Sequence, residues 1–308
     1  MKRKIRQVTP DELFNLRQEA QIATLEALLA SRRWRHDELV FHGGTALRLV
    51  HNSPRFSEDL DFMVSSGLKL EGIAKNIKER ILMGGRLPPD IKISIEKLKD
   101  EQRMFSFYVS ATSERVVGKV LVKVEMWKTE RNLLSEIQAV ISSAGVSNSF
   151  VPASDLNEIM ADKVFAQGGR EYLKARDIFD IYWMMANGVS PIVAPKDIVR
   201  RFGIYDVGGV DKWLAKAAGR LASIDANAEM IAKDLRRWLP SVWPVEARLP
   251  EILECARSTI AHGIQTVERI KEMGVPIPNQ TIESESHLGE QVDVAQAAGY
   301  EPSGCEPS

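Results

Sequence analysis

Apolar residues recur at helical intervals near the start of the chain. Thr9-Pro10-Asp11-Glu12 forms a capping box with proline at the first helical position, and apolar positions continue from Leu13 to Leu28. This pattern predicts a helix that ends at about Ser31.

A strand, a glycine pair and a second helix are predicted in succession from residue 38 to residue 51. Residues 38–42 are apolar enough for a buried strand, Gly43 and Gly44 end it, and helical spacing resumes at Thr45. Free backbone N–H groups and the positive end of the dipole at the start of such a helix can hold phosphate oxygens.

The next predicted strand, residues 59–64, alternates acidic and apolar positions. Asp59 and Asp61 lie on one face, and Leu60 and Phe62 lie on the other. Two carboxylates spaced in this way point into one site, where their like charges favour a divalent cation. An Asp-x-Asp pair alone is more often a solvated strand face. Here the pair follows a phosphate-binding turn by about 15 residues. The turn and the aspartates together predict a metal ion that bridges a nucleoside triphosphate.

The remainder of the chain changes from mixed to purely helical spacing. A helix is predicted at about 70–83, followed by β-rich segments at 91–98, 104–110 and 119–127. After Pro152, candidate helices lie near 155–167, 174–186, 196–202, 212–221, 226–239 and 246–273. The sequence therefore predicts an α+β domain over residues 1–150, with a mixed sheet and flanking helices, followed by an all-helical domain over residues 151–273.

A third carboxylate is expected on a strand beside the aspartates. Glu125 is the only acidic residue in segment 119–127, and it lies on the face opposite the apolar valines, together with Lys119 and Lys123. We predict that Glu125 is a third metal ligand. The alternative is an exposed glutamate paired with Lys123.

The last 35 residues differ in composition from the rest. Residues 274–308 hold six acidic residues, no Lys or Arg and little periodicity, which predicts a disordered acidic tail. The rest of the chain carries 41 Lys and Arg against 36 Asp and Glu, a net charge of +5. A mildly basic body suits a polyanionic partner such as nucleic acid, although basic doublets on helices are usually solvated.

Composition also excludes several classes of protein. Two cysteines, Cys255 and Cys305, are too few for a disulfide framework or a cysteine metal site. The basic N-terminus leads into no apolar segment of signal-peptide type, and no run of about 18 apolar residues occurs. We expect a cytoplasmic protein with no membrane partner.

The segment Gly43-Gly44-Thr45-Ala46-Leu47-Arg48, followed by Arg55-Phe56-Ser57-Glu58-Asp59-Leu60-Asp61-Phe62, resembles the first motif of a known family. This is the AbiEii/AbiGii toxin family, within the polymerase-β-like nucleotidyltransferase superfamily, which includes the MenT enzymes. Residues 158–166 resemble its lysine-bearing helix, and residues 174–182 resemble its Arg-Asp-x-x-Asp motif. The resemblance implies a polymerase-β-like fold and a toxin of a type IV toxin–antitoxin or abortive-infection system.

The resemblance also implies roles for individual residues. Asp59, Asp61, Lys163 and Asp177 are expected to be catalytic. Lys163 would neutralise the triphosphate, and Asp177 would act as a base or as an anchor for Lys163. The expected ligands of Mg²⁺ or Mn²⁺ are Asp59, Asp61 and Glu125, and the expected nucleotide-binding residues are Gly43, Gly44, Thr45, Arg55, Ser57 and Lys163.

Some positions have plainer alternatives. Arg55 could simply pair with Glu58, Asp180 could cap the helix or pair with Arg176, and Asp162 is expected to be exposed. The chain also has Gly44 where many superfamily members have serine, so a hydroxyl contact to phosphate must come from Thr45 or Ser57.

The leading functional hypothesis is transfer of a nucleotide from a nucleoside triphosphate to RNA. For a MenT-like enzyme the resemblance implies the tRNA 3′ end as acceptor, a block of translation and growth, and an antitoxin from the same operon. Two alternatives remain. The acceptor could be a protein or a small molecule such as an antibiotic, or the chain could be a non-catalytic module that binds nucleotide or antitoxin.

Overall fold

A seven-stranded mixed sheet forms the centre of the N-terminal half. The computed structural model describes residues 6–7, 10–35, 37–113, 116–117, 119–129, 135–142 and 145–277. Thr9 and all but the first four residues of the predicted acidic tail lie outside these ranges. The strands are β1 (Arg6–Gln7), β2 (Leu39–His42), β3 (Asp59–Ser65), β4 (Ile91–Asp100), β5 (Met104–Ser113), β6 (Val116–Val117), β7 (Lys119–Thr129), β8 (Glu136–Ser142) and β9 (Gly145–Ala153).

Three helices accompany the sheet, and six follow it. The first three are α1 (Pro10–Leu29), α2 (Gly43–Leu49) and α3 (Glu71–Met83). The later six are α4 (Leu156–Gly169), α5 (Ala175–Ala186), α6 (Pro195–Ile204), α7 (Val210–Ser223), α8 (Ala228–Trp238) and α9 (Val245–Glu272). The predicted α+β half followed by a helical half is confirmed.

The order of strands places the two acidic segments side by side. The large sheet runs β4-β5-β7-β3-β2-β9-β8, and β1 pairs separately with β6. Strand β3 lies between β7, to which it is parallel, and β2, to which it is antiparallel. In this register Asp61 lies directly opposite both Glu125 on β7 and His42 on β2.

The period of two along β3 and β7 separates a buried face from a polar face. Leu60 and Phe62 on β3, and Val122, Val124 and Met126 on β7, are completely buried. Helices α1 and α3 pack over the sheet. The carboxylate-bearing positions between the apolar ones therefore lie on the other face, as the alternation predicted.

Helices α4 and α7 pack closely against each other. A Cβ atom on Gly168 would lie 2.3 Å from the indole of Trp213, so only glycine fits there. The Trp213 Nε1 donates to the Phe165 carbonyl oxygen at 2.8 Å. The long helix α9 packs across α5, α7 and α8 and completes the bundle.

The hairpin β8–β9 was not predicted from the sequence. It pairs antiparallel, and β9 joins the main sheet in parallel to β2 through Phe41 and Ala153. The sheet therefore extends to Ala153, through the segment in which the sequence placed the domain boundary. Among the described residues, no helix is long and apolar enough to cross a membrane.

Candidate active site

The turn between β2 and α2 lies directly against Asp61, one of the predicted metal ligands. Gly43 has a φ of +77°, which glycine adopts without strain. A Cβ atom there would lie 2.5 Å from Oδ2 of Asp61. Glycine is therefore required at this position for two reasons: its positive φ and the Asp61 carboxylate that lies against it.

Gly44 is required by a different neighbour. A Cβ atom at this position would lie 2.3 Å from Nη2 of Arg55 and 3.1 Å from Oγ of Ser57. The space beside Gly44 is thus filled by the side chains of Arg55 and Ser57.

Of the two hydroxyl groups predicted to contact phosphate, that of Thr45 is already used in a hydrogen bond within the protein. Thr45 is fully buried, and its Oγ1 donates a short hydrogen bond to the backbone carbonyl of Asp59. This bond fixes the start of β3 against α2. Ser57 is partly exposed beside Gly44, so of the two it is the one left to contact a ligand.

Three carboxylates act on one another across β3 and β7. Burial, together with the neighbouring charges of Asp59 and Glu125, raises the pKa of Asp61 to about 7. Burial also raises the pKa of Asp59, again with a contribution from Glu125. Carboxylates crowded in this way are stabilised by a cation.

The donor chemistry of this site fits a hard divalent cation only in part. Carboxylate oxygens are what Mg²⁺ prefers, and Asp59 and Asp61 share one strand face. Glu125, however, is paired with Lys123, as its plainer alternative predicted. Within the described part of the chain, no three His, Cys, Asp or Glu side chains are grouped to hold a metal. Glu125 must leave Lys123 to complete a set of three.

Lys163 lies buried between two aspartates of helix α5. Its Nζ is 2.7 Å from Oδ1 of Asp177 and 2.7 Å from Oδ2 of Asp180. Asp177 also pairs with Arg170 at 3.0 Å. Although burial opposes ionisation of Asp177, Lys163 and Arg170 hold its pKa well below the usual range. The carboxyl is therefore charged and paired.

Arg55 makes a two-point contact with Asp180 and not with Glu58. Its Nε and Nη2 lie 2.6 and 2.8 Å from the two carboxylate oxygens, and its Nη1 donates to the Phe56 carbonyl. Arg55 is 3% exposed and Asp180 is 0% exposed. Glu58 pairs instead with Arg17. The predicted phosphate contact of Arg55 would require this buried pair to open.

Asp180 therefore does not pair with Arg176, which was one alternative from the sequence. The Arg176 guanidinium lies over the Trp238 ring, 4.3 Å from its centroid. Asp180 is shared between Arg55 from the sheet half and Lys163 from the helical half.

The expectation that Asp162 is exposed is also wrong. Its Oδ2 lies 2.5 Å from Nε2 of His42, and its Oδ1 forms an ion pair with Nε of Arg201 at 2.7 Å. The Nδ1 of His42 lies 2.8 Å from Oγ of Ser154. This group was not predicted from the sequence, although His42 directly precedes the glycine pair and Asp162 directly precedes Lys163.

A cavity of about 490 Å³ joins these groups. One end is polar, with the glycine pair, Asp61, Glu125 and Lys163. The other end is mostly aromatic and apolar. The residues there include Met63, Trp127, Phe165, Ile204, Tyr205 and Val207. The predicted site residues that line the cavity are Gly43, Gly44, Asp61, Glu125 and Lys163. Five other predicted site residues do not line it: Thr45, Arg55, Ser57, Asp59 and Asp177.

Comparison with known families now decides the class of this site. Residues 26–247 match the family described as nucleotidyl transferase AbiEii toxin, type IV TA system. The chain belongs to this family. It is accordingly a nucleotidyltransferase, and membership of the AbiEii family implies a nucleoside triphosphate substrate and an antitoxin partner.

Solved structures include similar chains at low identity. The JHP933 protein of Helicobacter pylori is 19% identical, with 84% of this chain and 95% of that chain covered and a TM-score of 0.48. The MenT4 nucleotidyltransferase toxin of Mycobacterium tuberculosis is 16% identical, with 86% and 96% covered and a TM-score of 0.49. No curated protein gave a significant match.

Proposed function

We propose that this AbiEii-family chain transfers a nucleotide from a nucleoside triphosphate to RNA, at the 3′ end of tRNA, and so blocks translation and growth. One observation carries the proposal. A single cavity is lined by the Gly43-Gly44 turn, the Asp61 carboxylate and the Lys163 ammonium. These are the groups that a metal-bound triphosphate requires.

Asp59, Asp61 and Glu125 would hold Mg²⁺, or Mn²⁺ in its place. When bound, this ion withdraws charge from the phosphates and favours attack at the α-phosphate. The raised pKa of Asp61 supports the assignment: burial is its main cause, and the charges of Asp59 and Glu125 add to it, so a bound cation would stabilise the ionised carboxylates. Lys123 holds Glu125 in place until the ion is present.

Lys163 would contact the triphosphate from the helical half, and Asp177 would anchor it. Asp177 accepts from Lys163 and pairs with Arg170, and its pKa is depressed. A carboxylate held in this way is a poor proton acceptor near neutral pH. Of the two roles expected for Asp177, the geometry favours the anchor over the base. We propose that residues 1–150 and 151–273 build the site together for this reason.

The choice of acceptor rests on the toxin family and on charge. The chain without its acidic C-terminal stretch carries a net charge of +5, which suits a polyanion better than a neutral small molecule. Within the proposal, the antitoxin made with this toxin limits its activity in the cell.

Incubation with each of the four α-labelled nucleoside triphosphates, Mg²⁺ and total tRNA tests the proposal. We expect label on tRNA, and we expect none when the tRNA 3′ ribose has first been oxidised with periodate. Asp61→Asn should abolish transfer, while the matched variant Asp225→Asn, an exposed acid on the helical half, should transfer normally.

Three results would contradict parts of the proposal. Label only on protein or on an antibiotic would move the acceptor to another class. Label on oxidised tRNA would exclude the 3′ end. A wild type that stops growth but labels nothing, with toxicity retained in Asp61→Asn, would leave only a non-catalytic binding module.

A further inference from the structure

The two strands that carry the predicted metal ligands continue into an apolar row. Two residues beyond Asp61 and Glu125, on the same face of the sheet, Met63 and Trp127 lie opposite each other in register. A step of two residues along a strand is about 6.6 Å. Both side chains line the cavity, and both are only half-buried.

The adjoining wall comes from the end of α6, the segment that follows it, and Phe165 of α4. Tyr205 meets Trp127 edge to face, with ring centroids 5.9 Å apart, and stacks beside Phe165 at the same distance. Burial raises the pKa of the Tyr205 hydroxyl well above its usual value, so this side chain stays uncharged. Ile204 and Val207 complete the wall.

The two ends of the cavity thus differ in the chemistry they accept. The end with Asp61 and Lys163 suits charged phosphate and its counter-ion. The end with Met63, Trp127 and Tyr205 offers the aromatic and apolar surface that suits a flat ring, and the exposed Arg103 and Asp206 also line the cavity. In a nucleotide, one ribose separates these two kinds of group.

We propose that the aromatic end is the nucleobase subsite, in which the base of the nucleoside triphosphate stacks against the Trp127 indole, beside the Tyr205 ring that already contacts it. This inference rests on the proposed function. Because every base offers a flat π face, stacking on Trp127 strengthens the binding of all four nucleotides.

The affinity of each nucleoside triphosphate, compared with that of inorganic triphosphate, isolates the contribution of the base. In the presence of Mg²⁺, we expect wild type to bind nucleotides more tightly than triphosphate. Trp127→Ala should weaken nucleotide binding by roughly five- to a hundredfold and leave triphosphate binding unchanged. Trp127→Phe, which keeps a stacking ring, should restore most of the affinity.

Trp34→Ala is the matched control, since Trp34 is a half-buried tryptophan outside the cavity, bonded to the Leu28 carbonyl. It should bind both ligands as wild type does. If Trp127→Ala does not fold, the quenching of tryptophan fluorescence is measured instead. Nucleotide should quench the emission of wild type more than that of Trp127→Phe, whereas triphosphate should affect the two proteins equally.

Several results separate failure of the subsite from failure of the function. Equal binding of nucleotide and triphosphate by wild type, or nucleotide binding by Trp127→Ala equal to wild type, overturns the subsite and leaves the transferase intact. A Trp127→Ala variant that loses affinity for tRNA alone overturns it too, because the aromatic end would then belong to the acceptor. A wild type that binds neither nucleotide nor triphosphate contradicts the proposed function itself.

Discussion

The ion pair between Arg55 and Asp180 yields the sharpest test of how the two halves are held together. Asp180 is 0% exposed and contacts both Arg55 and Lys163, while Lys163 also contacts Asp177. These four buried side chains carry two positive and two negative charges. Arg55→Met leaves one positive charge against two negative charges among these four positions. Arg170, which also pairs with Asp177, compensates this only weakly, because its side chain is 40% exposed.

Removal of one member of a buried pair usually costs about 3–5 kcal/mol in the free energy of unfolding. We expect Arg55→Met to cost about 3 kcal/mol, since Lys163 still compensates part of the Asp180 charge. Asp180→Leu should cost a similar amount. The double variant restores the balance between Lys163 and Asp177, so its cost should be about 1–2 kcal/mol and far less than the sum.

Urea denaturation of wild type, the two single variants and the double variant gives this coupling energy directly. The matched control is Arg248 with Glu251, an exposed pair on α9, for which we expect no measurable coupling. If the Arg55 and Asp180 effects add to within about 1 kcal/mol, the reasoning from buried charge balance is refuted.

Three further predictions concern single residues. Gly168→Ala should lower the stability of the fold by several kcal/mol, because its methyl group would meet a buried indole at 2.3 Å. Gly219→Ala, at an open helical position, should raise the stability by about 0.5–1 kcal/mol, and thermal melts of both variants test this. Gly43→Ala should abolish nucleotide transfer by displacing Asp61, and a normal rate in the transfer assay would show that the turn is not needed. Although burial opposes its ionisation, Asp162 has a depressed pKa, so it stabilises the fold above its ordinary pKa of 3.8 and loses this effect as the pH falls below that value. Asp162→Asn should therefore flatten the acid side of a curve of stability against pH, and parallel curves for the two proteins would contradict this.

Local sequence patterns predicted the parts of the site that lie close together along the chain. The alternation in β3 correctly placed Asp59 and Asp61 on the face opposite Leu60, because one side of the sheet is packed and the other faces the cavity. The pairing of β3 with β7, which brings Glu125 beside Asp61, depends on strand order. Periodicity does not contain that order.

Partners far apart in sequence were predicted less well. Nothing local indicates that Arg55 meets Asp180, 125 residues away. Asp162 was expected to be exposed and is not. Because α4 is covered on several sides, its apolar residues form no single stripe that would separate buried from exposed positions in the sequence. The hairpin β8–β9 was missed since its second strand, GVSNSFVPA, is rich in residues that strands usually avoid.

The sharing of Asp180 between Arg55 and Lys163 also limits how such proteins can recombine during evolution. A sheet half joined to a foreign helical half would bury Arg55 without a counter-charge, unless the newcomer carried a carboxylate at the position of Asp180. Exchange of the halves is therefore tolerated only between chains that keep both members of this pair. Arg55 and Asp180 should change together, or not at all, when homologous sequences are aligned.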